Sequence, residues 1–424
     1  MIQWRNAVVT AVCREWPGAL ELTVTADGAE LTALAYPALT GRPQVGDRVL
    51  LNVTALELGL GTGGYALVTA LPGRLPPAPA GPGHLVKARY TPLQAAVAGT
   101  DEQGSPYHGL LADADDLAGM PVVVADLHSA LPAVIAGLRA DGDPLTVAYL
   151  MLDGGALPAW FSRTAAGLRA AGWLAGTVTT GQSFGGDLET VTVHTGLLAA
   201  RHVLGAQVTV VAQGPGNLGT GTRWGFSGVA CGDAVNAVAT LAGRPVACLR
   251  ISEADPRPRH QGVSHHSLTS YGRVALARAD VAVPELPGPF GEQVAAQAAP
   301  LAARHDLVSV PVDGLMDALA ACPVPLSTMG RGLADDAAYF LAAAAAGRHA
   351  ARLARAVRCT GSSSTWNGTR SGWCSPTRAA GCCSSMRSPT MWARRAGGSC
   401  PGAVSTRASP TWMRQCARSA RRPG

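Results

Sequence analysis

The sequence predicts an α/β protein in which a small N-terminal β-barrel precedes a parallel sheet with helices on both faces. Two observations support this prediction. Up to residue 70, five short β-rich runs are separated by Pro-Gly, Asp-Gly and Gly-rich turns. From residue 121 onward, strands that are apolar on both faces alternate with helical segments, which is the pattern of a parallel sheet covered on both sides.

Residues 1–70 form the predicted barrel domain, with about five strands. Its β-rich runs read "NAVVTAVC", "ALELTVTA", "ELTALAY", "DRVLLNVTAL" and "GYALVTAL". Residues 71–84, "LPGRLPPAPAGPGH", are rich in proline and glycine and are predicted to be a linker.

Residues 85–353 form the predicted α/β domain. Its apolar strands are "PVVVA" (121–125), "PLTVAYLML" (144–152), "GWLAGTVTT" (172–180), "AQVTVVAQ" (206–213) and "RPVACLRIS" (244–252). Helices are predicted over 159–171 and 230–242. The run "HDLVSVPV" and the Ala-rich helix "LADDAAYFLAAAAAGRHAARL" close the domain near residue 353.

The tail, residues 354–424, has a different composition from the rest of the chain. From Cys359 onward it contains ten arginines, no lysine, no acidic residue and six of the ten cysteines. Removing those ten charges from the formal +6 leaves the preceding residues at −4. The tail has almost no Leu, Ile or Val, so we expect it to be disordered.

The tail resembles an out-of-frame reading of a GC-rich gene. Back-translating "SCPGAVSTRASPTWMRQCARSARRPG" with G/C-rich codons and shifting the frame gives ELPGGRVDEGEPDVDAAVREVREETG. That string is similar to the signature of the Nudix hydrolases. The printed residues would then carry none of that family's chemistry, and the tail cysteines would indicate neither disulfides nor zinc.

Composition also excludes several classes of protein. We expect no membrane span, because no window approaches about 20 apolar residues, and no secretory leader at "MIQWRNAVVTAVCREW". The four remaining cysteines are widely spaced and contain no C-x-x-C, which suits reduced thiols and a cytoplasmic location. The residues before Cys359 carry a net negative charge, which disfavours nucleic acid as a partner.

Polar residues and glycines follow each of the five apolar strands of the predicted α/β domain. In an open parallel sheet, ligands bind outside the carboxyl ends of the strands, so these residues predict a shared cleft. Strand ends made of Gly, Asp and Ser are also ordinary turns. The side chains that we place in the cleft after the first three strands are Asp126, His128, Asp153, Gln182 and Asp187.

A glycine-rich loop, "QGPGNLGTGT", follows the fourth strand. Gly214, Gly216 and Gly219 have the G-x-G-x-x-G spacing that a dinucleotide fingerprint requires. No helix opens cleanly after them, and the next acidic residue, Glu253, comes too late in the chain for such a fingerprint. We therefore interpret these glycines and Thr220 as an anion-binding or cleft-lining loop.

The stretch "ADPRPRHQGVSHHSLTS" (254–270) allows three interpretations. His265 or His266 could bind a metal with Asp126, His128 or Asp153, although adjacent histidines cannot both face one way from a strand. Alternatively, Arg257, Arg259 and His260 could hold a phosphate or carboxylate. In the third interpretation, Ser264 and the histidines only cap the following helix.

Motifs along residues 1 to about 353 identify a family resemblance. "GHLVKARYTPLQ", "VADLHSALP", "QGPGNLGTGTRWGFSG", "RHQGVSHHSLTSYG" and "STMGRG" are together similar to the bacterial family known as domain of unknown function 3866. This resemblance implies no activity. The order of a β-rich part, "RYTPLQ" and an α/β part also resembles the substrate subunit of glycine and betaine reductases. In that family a cysteine becomes a pyruvoyl group, and only Cys231 could correspond to it.

The resulting hypothesis is an enzyme that acts on a small anionic substrate, assisted by one divalent metal ion. The alternative is a non-catalytic nucleotide or metabolite sensor or scaffold. Self-association into a homo-oligomer is left open. The candidate catalytic residues are His128, Asp126, His260 and His265. The candidate ligand-binding residues are Asp153, Gln182, Asp187, Gly214, Gly216, Gly219, Thr220, Arg257 and Arg259. The candidate metal ligands are Asp126, His128 and His266.

Overall fold

A computed structural model describes residues 1–61, 63–78 and 83–361 of the chain. The N-terminal part is a closed five-stranded barrel, as predicted. Its elements are β1 (Trp4–Trp16), β2 (Ala19–Ala26), β3 (Ala29–Ala35), α1 (Pro37–Thr40), β4 (Arg48–Asn52), α2 (Thr54–Glu57) and β5 (Ala66–Ala70). The strand order around the barrel is β1-β2-β3-β5-β4.

The alternating pattern of β2 shows why these residues form a barrel. Leu20, Leu22 and Val24 are fully buried and fill the interior, because alternate side chains of a strand point to one face. Asp27 and Gly28 connect β2 to β3, and both have positive φ, at 50° and 80°. This is the backbone conformation of a tight hairpin turn, for which Asp-Gly is a preferred pair.

The remainder of the described chain is built around a second, larger sheet. Its strands and the small hairpins beside it are β6 (Leu85–Lys87), β7 (Ala95–Val97), β8 (Pro121–Val124), β9 (Val147–Leu152), β10 (Gly176–Thr179), β11 (Leu188–Glu189), β12 (Val208–Gln213), β13 (Arg244–Cys248), β14 (Ile251–Ser252), β15 (Gly262–Val263), β16 (Asp280–Pro284), β17 (Asp306–Val310), β18 (Ser327–Thr328) and β19 (Arg331–Gly332). Eight of them form one sheet in the order β11-β10-β9-β12-β8-β13-β16-β17. Every pairing in it is parallel, as predicted.

Helices cover both faces of this sheet. They are α3 (His108–Leu111), α4 (Leu131–Ala140), α5 (Arg163–Ala170), α6 (Val193–His202), α7 (Ala230–Thr240), α8 (His265–Thr269), α9 (Gly288–Ala298), α10 (Leu315–Ala320) and α11 (Ala337–Gly361). Helices α4, α10 and α11 enclose one core, and α6, α7 and α9 enclose most of the other. The backbones of α4 and α11 touch, since a Cβ on Gly137 would lie 1.9 Å from the Ala344 carbonyl oxygen.

The order of the strands creates a crevice in the middle of the sheet. The chain leaves β8 through α4 on one face and leaves the neighbouring strand β12 through α7 on the other. Helices that diverge from adjacent parallel strands leave a gap at their carboxyl ends, which is where open α/β sheets bind ligands. Asp126 follows β8 and Gln213 ends β12, so both lie at this crevice.

Several element boundaries differ from the prediction. The run 244–252 breaks after Cys248, because Arg250 leaves the sheet to enter a buried ion-pair network. Helix α11 continues to Gly361, past the predicted end of the body near 353. The rest of the predicted tail, 362–424, lies outside the described residues, as does the 79–82 part of the linker. The division into separate domains stays a prediction. Within the described part of the chain, no helix combines the length and apolar character needed to cross a membrane.

Candidate functional site

Three histidines converge beyond the carboxyl ends of β8 and β13. His260, His265 and His266 each offer a ring nitrogen, and these three atoms lie within 4.8 Å of one another. Ser264 holds the group together: its Oγ caps α8 by accepting a hydrogen bond from the His266 backbone N–H and lies 2.8 Å from His260 Nδ1. The helix-capping role predicted for Ser264 is therefore present, together with a cluster of imidazoles that resembles a metal-ligand set.

The prediction that His265 and His266 cannot face one point was wrong in its premise. It assumed a strand, in which neighbouring side chains point to opposite faces. Both residues instead begin α8, where successive side chains are only about 100° apart around the axis. Rotation about the side-chain bonds then brings the two rings to a centroid distance of 4.5 Å.

The surroundings of His260 and His265 keep these two imidazoles neutral. Burial, with the nearby Arg250 guanidinium adding to it, lowers the pKa of His260 to about 3. Burial and the neighbouring His266 lower the pKa of His265 to about 4. The ring of His266 stacks on Phe226 at 3.8 Å. Neutral imidazole is the form that binds a metal ion.

Asp126 lies beside the cluster with part of its hydrogen-bonding capacity unused. The residue is 4% exposed, and its Oδ2 accepts no hydrogen bond from the described residues. That oxygen lies 3.5 Å from His266 Nδ1 and 3.9 Å from Arg250 Nη1. Two further buried atoms of the crevice, Gln213 Oε1 and His265 Nε2, also lack a partner among the described residues. Buried polar atoms are almost always paired, so such a concentration indicates a site.

Arg257, predicted to hold an anion, is committed to the protein itself. Its guanidinium donates two hydrogen bonds to buried Asp255, at 2.8 and 2.7 Å. This bidentate pair holds the pKa of Asp255 far below its usual range. Arg331 links the same carboxylate to Asp336, so the arginine and aspartate side chains here form a closed network that fixes the 252–260 loop.

An open cleft of about 620 Å³ lies against the histidine cluster. Arg223, Arg259, Arg273 and His265 line it, and Leu268 and Leu301 form an apolar wall. The three arginines are exposed and make no ion pair with any described residue. No carboxylate of the described residues lines this cleft, so its charge is strongly positive and suits an anion.

The glycine-rich loop contributes to this cleft, but the residues that line it are not the predicted Gly214, Gly216, Gly219 and Thr220. Gly214 packs against the neighbouring loop, where a Cβ would lie 2.3 Å from the Ala156 carbonyl oxygen. Gly216 has a φ of 87°, and Gly219 pairs with Phe226 in a hairpin that Thr220 closes by donating to the Gly225 carbonyl. The loop reaches the cleft through Gly221 and Arg223, with no helix opening at the glycines.

His128 is separated from the cluster by its own partners. Its Nδ1 lies 3.0 Å from the Tyr149 hydroxyl and its Nε2 lies 2.7 Å from Ser162 Oγ. Burial lowers its pKa to about 4. Because both ring nitrogens are engaged, the structure does not bring His128 together with His266 and Asp126 as a ligand set.

Of the remaining predicted cleft residues, Asp153 and Gln182 lie beyond the carboxyl ends of β9 and β10, whereas Asp187 lies at the amino end of β10, next to Thr177, and outside the predicted cleft. Asp153 Oδ2 accepts a hydrogen bond from the Gln182 N–H at 2.8 Å. Asp187 Oδ2 accepts from the Thr177 N–H and from Arg169. These side chains tie adjacent parts of the chain together. They do not line the cleft of Arg223, Arg259 and Arg273, which we call the arginine cleft.

Three arginines that sequence reasoning missed are central to the site. Arg250 lay inside an apolar run, and a charge in such a run is a detectable signal because it requires buried counter-charges. Arg223 directly follows the glycine-rich loop, where the start of a helix would be expected. Arg273, in "SYGRV", carries no local signal, since its place in the cleft depends on the fold of residues 270–274.

The sequence comparisons agree with the family resemblance of the motifs. No curated protein matches the chain. A family model described as "Protein of unknown function (DUF3866)" matches residues 32–347. Since this match covers well over half of the sequence, the chain belongs to that family of proteins of unknown function.

Proposed function

We propose that the protein is an enzyme that acts on a small phosphate- or carboxylate-bearing substrate with the help of one divalent metal ion. The observation that carries the proposal is a juxtaposition. The ring nitrogens of three histidines lie within 4.8 Å of one another, beside a cleft lined by three unpaired arginines.

The histidine cluster has the features of a catalytic metal site. Three protein ligands leave a fourth position open for water or substrate. Ser264 and Asp126 stand next to the rings as orienting partners, and such partners usually fix the tautomer of a metal-binding histidine. Asp126 Oδ2, which has no hydrogen-bond partner among the described residues, lies 3.5 Å from His266 Nδ1, and that nitrogen accepts a hydrogen bond from the Arg250 guanidinium at 3.3 Å.

The cleft supplies the binding site for the substrate. Arg223, Arg259 and Arg273 present planar donors that match the oxygens of a phosphate or carboxylate. The metal, bound by neutral imidazoles, would keep its full double charge, acidify a bound water and polarise the anion. The apolar wall at Leu268 and Leu301 would pack against the uncharged part of the substrate.

The first experiment is to measure the metal content of the purified full chain by mass spectrometry after dialysis. We expect about one equivalent of zinc, manganese or iron per chain, as three-histidine sites hold one ion. His265→Ala should lose the metal. His194→Ala is the matched control, because His194 is exposed at the start of α6, and it should retain the metal. A folded protein that holds no metal before or after zinc is supplied would overturn the metal part.

A second experiment tests the activity. The metal-loaded chain is assayed against phosphate monoesters and small carboxylates, with chelated protein and His265→Ala as controls. Turnover that requires both the metal and His265 would support the enzyme. Binding of metal and phosphate without any turnover would contradict it.

A non-catalytic sensor or scaffold is the second candidate, favoured by one observation on the barrel. Trp4 and Val8 lie on one face of β1 and are 46% and 40% exposed. Exposed apolar patches mark interaction surfaces. Trp4→Ser combined with Val8→Ser should then abolish capture of a partner without changing metal content, whereas the enzyme proposal expects unchanged turnover.

A further inference from the structure

A second cavity lies where the barrel meets the α/β part, outside the histidine and arginine site. Its volume of about 430 Å³ falls in the usual range for small-molecule pockets. Both walls are mostly apolar, and the side chains that form them are Leu39, Leu67 and Val68 from the barrel and Leu157, Pro158 and Phe184 from the α/β part.

Aromatic contacts hold the two walls in place. Trp16 of the barrel donates its indole N–H to the Trp160 carbonyl at 2.7 Å. The Trp160 ring lies edge-on to Phe184 at 5.6 Å and 6.0 Å from the ring of Tyr36. The cavity is therefore formed before any ligand arrives, which lowers the entropic cost of binding.

Three polar groups without acceptors line this apolar space. Tyr36 is 7% exposed, and its hydroxyl makes no hydrogen bond with any described residue. Burial raises its pKa, so the hydroxyl stays protonated and can donate. Gln182 uses its Oε1 to accept from the Arg89 N–H, and neither its amide N–H groups nor the Arg89 guanidinium has a partner in the described part of the chain. Among the residues that the structure describes, no carboxylate lines the cavity.

The backbone that presents Arg89 is strained. Ala88 and Tyr90, on either side of it, have φ values of 47° and 60°, which non-glycine residues rarely adopt. Side chains stabilise this conformation: Thr91 donates to the Ala88 carbonyl, and Gln94 accepts from the Tyr90 N–H. Strain that is held in this way is typical of ligand clamps.

We propose that this cavity binds a small apolar carboxylate. Its aromatic or branched aliphatic body lies between the barrel and the α/β part, and its carboxylate accepts hydrogen bonds from Arg89, Gln182 and Tyr36. Charge complementarity selects this ligand, since the cavity offers donors and a cation but no anion. This proposal is independent of the metal site.

Calorimetric titration of the full chain with 4-phenylbutyrate and with its neutral counterpart, 4-phenylbutan-1-ol, tests the proposal. We expect saturable binding of the acid, with the alcohol about tenfold weaker because it lacks the charge-assisted hydrogen bonds. Arg89→Gln should lower the affinity for the acid about tenfold and leave the affinity for the alcohol unchanged. Arg48→Gln is the matched control: Arg48 is an exposed arginine on β4 outside the cavity, and its removal should change neither affinity.

A second variant keeps the test decisive if Arg89→Gln does not fold. Tyr36→Phe retains the aromatic wall and removes only the hydroxyl. It should lower the affinity for the acid by a measurable factor. The proposal is overturned if the acid does not bind at millimolar concentration. It is also overturned if the alcohol binds as tightly as the acid, or if Arg89→Gln has no larger effect than Arg48→Gln.

Discussion

The two halves of the sheet's carboxyl edge carry similar polar residues but arrange them differently. At the ends of β9 and β10, Asp153 accepts a hydrogen bond from the Gln182 N–H, and buried Lys87 donates to two carbonyls beside Glu189. At the ends of β8 and β12 and beyond β13, Asp126, Gln213 and His265 keep atoms without partners. Polar residues at strand ends therefore indicate a site only where they remain unsatisfied.

The largest expected effect comes from breaking the buried charges of the second half. Arg250 is 4% exposed and stands between Asp126 and Asp255, so Arg250→Met leaves the buried Asp126 without its cation, while Asp255 keeps Arg257 and Arg331. We expect the free energy of unfolding to fall by about 3–5 kcal/mol in urea denaturation. Arg169→Met, at the amino end of β10, removes an ion pair whose partners are 38% and 39% exposed, and should cost less than about 1 kcal/mol. Equal losses would remove the distinction between buried and exposed ion pairs.

This contrast also explains what the sequence could predict. The barrel and the parallel sheet follow from local patterns, namely alternation in runs such as β2 and continuous apolar runs such as β9. The placement of Asp126 at the crevice follows from the strand-end rule. Whether a polar atom finds a partner depends on how the chain folds: Ser252 donates to Asp336, 84 residues away, while Arg257 meets Asp255 within one loop. Sequence patterns carry no record of such pairings.

Arg259 and Arg257 allow the comparison to be tested on anion binding. Arg259 lines the cleft, and Arg257, two residues away, is held by Asp255. Arg259→Ala should lower the affinity for inorganic phosphate by about tenfold to a hundredfold. This factor corresponds to the free energy of one hydrogen bond to a charged group. Arg257→Ala should change phosphate affinity little and affect stability instead. Calorimetry with phosphate checks both variants, and a larger affinity loss in Arg257→Ala would contradict the assignment.

His128 tests whether a fully paired polar residue acts on stability alone. Burial lowers its pKa to about 4 from 6.5, so the unfolded chain takes up this proton first as the pH falls. Its contribution to stability is complete above pH 6.5 and is lost progressively toward pH 4, at up to about 1.4 kcal/mol per pH unit. His128→Gln should flatten this part of the pH profile in urea denaturation. Its metal content should match the wild type, and a loss of metal would place His128 in the metal centre.

The smallest effect is expected for Asp187, where polar residues satisfy one another at the surface. Its Oδ2 accepts from the Thr177 N–H at 2.7 Å and from Arg169 at 2.8 Å, with the side chain 39% exposed. Asp187→Asn keeps an acceptor and loses only a screened charge, so unfolding should become easier by less than about 1 kcal/mol. Metal content and phosphate affinity should not change, because the residue does not line the arginine cleft. A tenfold loss of phosphate affinity in this variant would contradict the assignment of the anion site to Arg223, Arg259 and Arg273, since none of these three contacts Asp187 in the described part of the chain.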